Sequence, residues 1–151
     1  MLVRHSVDCA LGGIVDWKLE VVTIPVSDMD RARDFYADEL GFNVDIDQYV
    51  TEDIRFLQLT PPGSACSIHL GPVTEHLKPG SLEGLFLVVS DLKAAREELG
   101  HRGVDAGEIQ VFDAGEYRPA SEGESLDLVG VFFFTDPDGN RWMVQQIPPR
   151  G

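Results

Sequence analysis

The chain has 151 residues, 43% of them hydrophobic and 25% charged, with a formal net charge of −14. That length suits one ordinary domain, and the apolar share excludes an intrinsically disordered chain. The charge disfavours nucleic acid, which demands a basic stripe, no Lys/Arg cluster is offered to anionic lipid, and no apolar run reaches the ~18 residues of a membrane span.

Residues 1–16 contain Gly12-Gly13 and no clean period, so they read as a loosely docked N-terminal arm. Arg4, His5 and Asp8 interrupt its apolar residues, which is not a secretory pattern. Two cysteines, Cys9 and Cys66, are too few for a disulfide framework and fit a reducing cytoplasm. A first strand is predicted over Trp17–Val26, with Leu19, Val21 and Thr23 on one face and Glu20, Val22 and Ile24 on the other. Pro25 cannot donate to a sheet ladder and suits the strand's end.

A helix follows over Met29–Leu40, where Met29, Ala32, Tyr36 and Leu40 form an apolar stripe that Phe35 broadens. Core packing accounts for Phe35 and Tyr36. Gly41 is a natural residue just past the helix end. Phe42 to Asp47 alternates strictly, which predicts a strand with one buried and one wet face. Two more strands are expected over Ile54–Leu59 and Ala65–Leu70, joined by the turn Pro61-Pro62-Gly63-Ser64. Gly71 to Ser81, with Pro72, Pro79 and Gly80, reads as a linker.

The motif Val26-Ser27-Asp28, with Ala32 and Arg33 behind it, returns 63 residues later as Val89-Ser90-Asp91 with Ala95 and Arg96. Each copy sits between an apolar run and an amphipathic pattern, where a Ser or Asp side chain can accept from the first free N–H groups of a helix. Two copies point to a duplicated half-domain rather than a solenoid. The second half accordingly reads as a strand at Leu85–Val89, a helix marked by Leu92, Ala95 and Leu99, and a short strand at Glu108–Phe112. Asp113 to Asp127 then departs from the repeat as a long acidic loop with Tyr117 inside it, a pocket rim or a disordered stretch. An aromatic strand, Val129–Thr135, the turn Asp136-Pro137-Asp138-Gly139-Asn140 and a closing strand, Arg141–Ile147, complete the chain.

The first motif with its helix, V-S-D-x-x-x-A-R-x-F-Y-x-x-x-L-G-F, the second V-S-D-x-x-x-A-R, and D-P-D-G-N before a strand together resemble the vicinal oxygen chelate superfamily of glyoxalases, bleomycin-resistance proteins and extradiol dioxygenases. The resemblance covers residues 17–147. It implies an α+β fold in which two tandem βαβββ units, residues 17–71 and 82–147, make a curved eight-stranded sheet, leaving 148–151 as a tail. It also implies a homodimer.

Metal enzymes of that family place four ligands on four strands. The corresponding positions here are Val21, His69, Gly84 (or Leu85) and Met143, and only His69 suits a hard divalent cation. No metal and no cofactor are therefore expected. The resemblance then implies that Val21, Thr23, Ser67, His69, Phe86, Met143 and Gln145 share the open face, joined by Phe132 and Phe134 or else by Phe133. Trp142 offers a further stacking surface and Tyr117 a place on the rim. The expectation is a cytoplasmic, metal-independent binding protein for an aromatic or hydrophobic small molecule, cationic if the acidic loop borders the pocket. The alternatives are a metal-free isomerase or lyase using His69 as acid and base, and a metalloenzyme of the same family with replaced ligands.

Overall fold

In a computed structural model of the chain, residues 15–71 and 76–149 are described. The expected arm and tail lie largely outside this range, as does part of the linker. The first half runs β1 (Val21–Pro25), α1 (Met29–Arg33), β2 (Asn43–Tyr49), β3 (Arg55–Thr60) and β4 (Ser67–Gly71). Helix α1 continues without a break into a π-helical stretch, Asp34–Glu39. There the Leu40 amide reaches back five residues to the Phe35 carbonyl, at 2.9 Å. The second half runs β5 (Leu85–Val89), α2 (Leu92–His101), β6 (Gln110–Asp113), β7 (Glu116–Pro119), β8 (Gly130–Thr135) and β9 (Arg141–Gln146).

Two sheets result, ordered β1-β4-β3-β2 and β5-β9-β8-β6-β7. In each, the strand that precedes the helix pairs in parallel with the last strand of its half, and the other pairings are antiparallel. The repeated motif is explained by its caps. Asp28 accepts from the Arg31 amide and Asp91 from the Ala94 amide, both at 3.0 Å, so each helix starts at the matched Asp.

The second half departs from the first where the long acidic loop was expected. Asp113–Gly115 turns tightly, with Ala114 at φ 53° and Gly115 at φ 85°, and Glu116–Pro119 returns alongside β6 as an extra strand. The described residues therefore hold nine strands rather than eight, and Tyr117 stands on a sheet. The expected alternation of Phe42–Asp47 also breaks. Phe42 is buried before the strand begins, and an irregularity between Val44 and Ile46 leaves edge strand β2 mostly exposed. Trp17 and Leu19, expected on the first strand, precede β1 and are exposed.

One core joins the halves. Ile24, Leu57, Leu59, Ile68 and Leu70 from the first sheet are buried in the same cluster as Phe132, Phe134, Trp142 and Val144 from the second. The first helical segment spans both, with the Phe35 ring 6.2 Å from Phe134 and Tyr36 5.9 Å from Trp142. The D-P-D-G-N turn locks this arrangement. Asp136 Oδ1 accepts from the amides of Asp138, Gly139 and Asn140, and Asn140 Nδ2 donates to the Pro25 carbonyl at the end of β1. Asn140 Oδ1 accepts from the Leu82 amide that leads into β5. Gly80 (φ 77°) passes so close that a Cβ there would lie 2.0 Å from the Asp138 carbonyl oxygen. Among the described residues no helix is long and apolar enough to cross a membrane.

Candidate functional site

Strand alternation gives each sheet an inner face in the core and an outer face, and the pairing registers identify the members of each. On the first sheet Thr23 pairs with His69 and Val21 with Ser67, while His69 also pairs with Gln58 of β3. These side chains share the outer face, since Val22, Ile24, Leu57, Ile68 and Leu70 face inward. The face is mainly polar. Ser67 Oγ lies 2.7 Å from Thr60 Oγ1, which also donates to Asp45. His69 is half-buried, with its ring 4.6 Å from Phe56, and burial holds its pKa below the usual imidazole value. No ion pair or hydrogen bond engages its ring nitrogens among the described residues, so nothing there fixes a tautomer or a proton path.

The outer face of the second sheet is aromatic. Met143 pairs with Phe86 on one side and Phe133 on the other, which lines up Phe86, Met143 and Phe133 across three strands. The neighbouring row is Val88, Gln145 and Val131. The Tyr117 ring meets Phe133 edge-on at 5.6 Å and Phe112 at 5.1 Å, extending the surface across β6 and β7. Phe86 is 58% exposed, and Val88, Phe112 and Tyr117 are exposed too. Arg141 closes one end, its Cζ 3.9 Å above the centre of the Phe133 ring.

This register places three residues expected on the open face elsewhere. Phe132, Phe134 and Trp142 lie on the inner face and are buried, because the pairing of Phe133 with Met143 sends their chain neighbours into the core. Trp142 stacks on Phe134, with ring centres 6.0 Å apart, and its Nε1 donates to Tyr36 Oη. Phe133 is the member of the Phe132–Phe134 run on the outer face. Arg141, Phe112, Val88 and Phe56 were not singled out from sequence. The available signal was the period of two through Arg141, Met143 and Gln145.

The acidic rim is also less free than its composition suggests. Arg118 holds Asp113 at 3.1 Å and Glu124 at 2.7 Å, and this pairing draws the Glu124 carboxyl down to about 2. Asp127 accepts from Gln146. A cleft of about 510 Å³ lies between β5, α2 and the Pro61–Ser64 turn, with Phe86, Val88, Phe132 and Phe134 in its lining.

Of the four positions that the resemblance assigns to metal ligands, Val21, Gly84 and Met143 carry no hard-metal donor and only His69 does. Among the described residues no three His, Cys, Asp or Glu side chains are gathered as a metal group.

Residues 18–144 match the family described as the Glyoxalase/Bleomycin resistance protein/Dioxygenase superfamily. The fold is similar to that of TnmS3, an antibiotic binding protein from Streptomyces sp. CB03234, at 30% identity and a TM-score of 0.69, covering 89% of this chain and 98% of that one. A glyoxalase/bleomycin resistance protein from the same organism is 31% identical, with a TM-score of 0.66 over 85% of this chain and all (100%) of the other. A superfamily member from Sphaerobacter thermophilus DSM 20745 is 27% identical, with a TM-score of 0.66 over 87% and 98%. No match was found among curated proteins.

Proposed function

The chain belongs to the Glyoxalase/Bleomycin resistance protein/Dioxygenase superfamily, and on that premise we propose that it binds a planar aromatic small molecule without a metal. The observation that carries this reading is the row Phe86–Met143–Phe133 on the outer face of the five-stranded sheet, with Tyr117 and Phe112 beside it and Phe86, Phe112 and Tyr117 exposed. Soluble proteins seldom leave contiguous aromatic surface in water without a use for it. Aromatic faces stack on flat rings, and a Met at their centre adapts to an irregular outline. The Streptomyces relative that binds an antibiotic points the same way.

Binding is favoured over acid–base chemistry because His69 has neither a carboxylate to orient it nor a second proton-carrying group within hydrogen-bond reach among the described residues. Its outer-face neighbours Thr23, Ser67 and Gln58 supply polar contacts instead. We further propose a homodimer. Val21 and Leu128 are exposed, and β1 and β5 each have one unpaired edge, a combination that a second copy would cover.

Calorimetric titration of polycyclic aromatic antibiotics into wild type and Phe133→Ala tests the binding reading. We expect micromolar or tighter binding by wild type and at least about a tenfold loss in the variant, the scale of one good aromatic contact. Equal affinity in both proteins would refute the site. Elemental analysis of protein purified without chelator should find less than one equivalent of Zn, Fe, Ni or Mn per chain.

A further inference from the structure

We infer that the outer face of the five-stranded sheet selects planar aromatic ligands carrying a negative charge, and that Arg141 reads that charge. The inference rests on the binding reading above and narrows its ligand. It runs against the cationic ligand that the acidic composition suggests.

Arg31 pairs with Asp138, Arg33 with Asp47, Arg55 with Asp30 and Asp47, Arg102 with Glu98, and Arg118 with Asp113 and Glu124. Arg96 donates to the backbone carbonyls of Ala106 and Gly107. Arg141 alone among the described arginines has no ion pair and no side-chain hydrogen bond, in a chain whose net charge is −14. Acidic partners are abundant, yet this guanidinium rests on an aromatic ring.

Its position gives that isolation a use. Arg141 follows the same alternation as Met143 and Gln145, so it stands on the aromatic outer face, and it is exposed. Arg141 Cζ lies 3.9 Å over the Phe133 ring centre, which holds the guanidinium at the aromatic face while no ion pair or side-chain hydrogen bond engages its N–H groups. A flat ligand lying across Phe86 and Met143, beside the Phe133 ring that Arg141 covers, would bring a substituent on its rim to those N–H groups. A carboxylate or phenolate there would receive a charge-assisted bond, and a carboxylate could receive two in parallel. The clamping of Asp113 and Glu124 by Arg118 removes two of the carboxylates that would otherwise favour a cation at the neighbouring hairpin.

A matched series on one ring system separates the two levels of the account: anthracene-2-carboxylate, anthracene-2-carboxamide and 2-(aminomethyl)anthracene, titrated by fluorescence into the full chain, its R141Q and R141K variants, with melting curves and light scattering alongside. We expect wild type to bind the carboxylate about tenfold tighter than the carboxamide, the amine being weakest, as one charge-assisted contact would give. R141Q should bring the carboxylate within about twofold of the carboxamide. R141K, which keeps the charge and loses the fork, should fall between. An unchanged carboxylate-to-carboxamide ratio in R141Q overturns the inference, as does tightest binding of the amine. So does an unchanged ratio with an altered light-scattering mass, which would assign the face to a second copy. Carboxamide binding with no carboxylate preference overturns the charge selection alone. Binding of none of the three overturns the binding reading with it.

Discussion

Tyr36 Oη donates to Asp136 Oδ2 at 2.7 Å, joining the first helical segment to a turn one hundred residues further along the chain. Both groups are buried, and the same hydroxyl accepts from Trp142 Nε1 at 3.0 Å. Burial and the Asp136 carboxylate raise the phenol's pKa far above its ordinary value, so it remains a donor at any working pH. Tyr36→Phe would leave a buried carboxylate oxygen and an indole N–H each one partner short. We expect a loss of about 1–3 kcal/mol in urea unfolding, and less than 0.5 kcal/mol or so would mean that the contact is dispensable.

Phe132 and Phe133 are chain neighbours with opposite surroundings, the first 0% exposed in the core and the second half-buried on the outer face. Phe132→Ala should cost about 3–5 kcal/mol of stability, the usual result of emptying a large core position. Phe133→Ala should cost about 1 kcal/mol and act chiefly on ligand affinity. Reversal of the two stability losses would mean that β8 is registered one residue away from the pairing described.

Burial keeps the His69 imidazole neutral in the fold below the pH at which the unfolded chain would protonate it. Its contribution is therefore complete above about pH 6.5 and declines as pH falls through that value, because the unfolded state takes up its proton first. Between pH 7 and pH 5 the wild type should lose more stability than His69→Gln in parallel denaturant titrations. Identical slopes would show that His69 titrates as freely in the fold as in the unfolded chain.

Glu124, drawn down to about 2 by Arg118, shifts in the opposite sense. Whatever stability it lends is present above about pH 4.5 and is lost as pH falls toward 2. Arg118→Ala should raise its pKa toward the ordinary carboxylate value, read from carboxyl chemical shifts, and loosen the hairpin of β6 and β7. A Glu124 pKa unmoved by that substitution would mean that the Ser121 amide, 2.9 Å away, is the controlling partner.

The fold was legible because its signals were local and doubled. The two Asp caps, the apolar stripes behind them and the turn at Asp136–Asn140 each state their structure within a few residues. The hairpin of β6 and β7 was not legible, since its turn depends on Ala114 in a left-handed conformation that nothing in its side chain announces. The site divides in the same way. Alternation grouped Val21 with Thr23 and Ser67 with His69, because strand period alone decides which neighbours share a face. It could not choose between Phe132 and Phe133, where three consecutive aromatic residues erase the polar–apolar contrast and only pairing with Met143 fixes the register. Arg141 was invisible as a site residue, since its significance lies in the carboxylate it does not have.

The central claim is that the outer sheet faces, and not the cleft beside α2, receive the ligand. Amide and methyl shift mapping by NMR during titration with anthracene-2-carboxamide tests it most directly. The account predicts perturbations centred on Phe133, Met143 and Gln145, with Leu40, Ala95 and Leu99 unmoved. Perturbations centred instead on Leu40, Ala95 and Leu99 would contradict it.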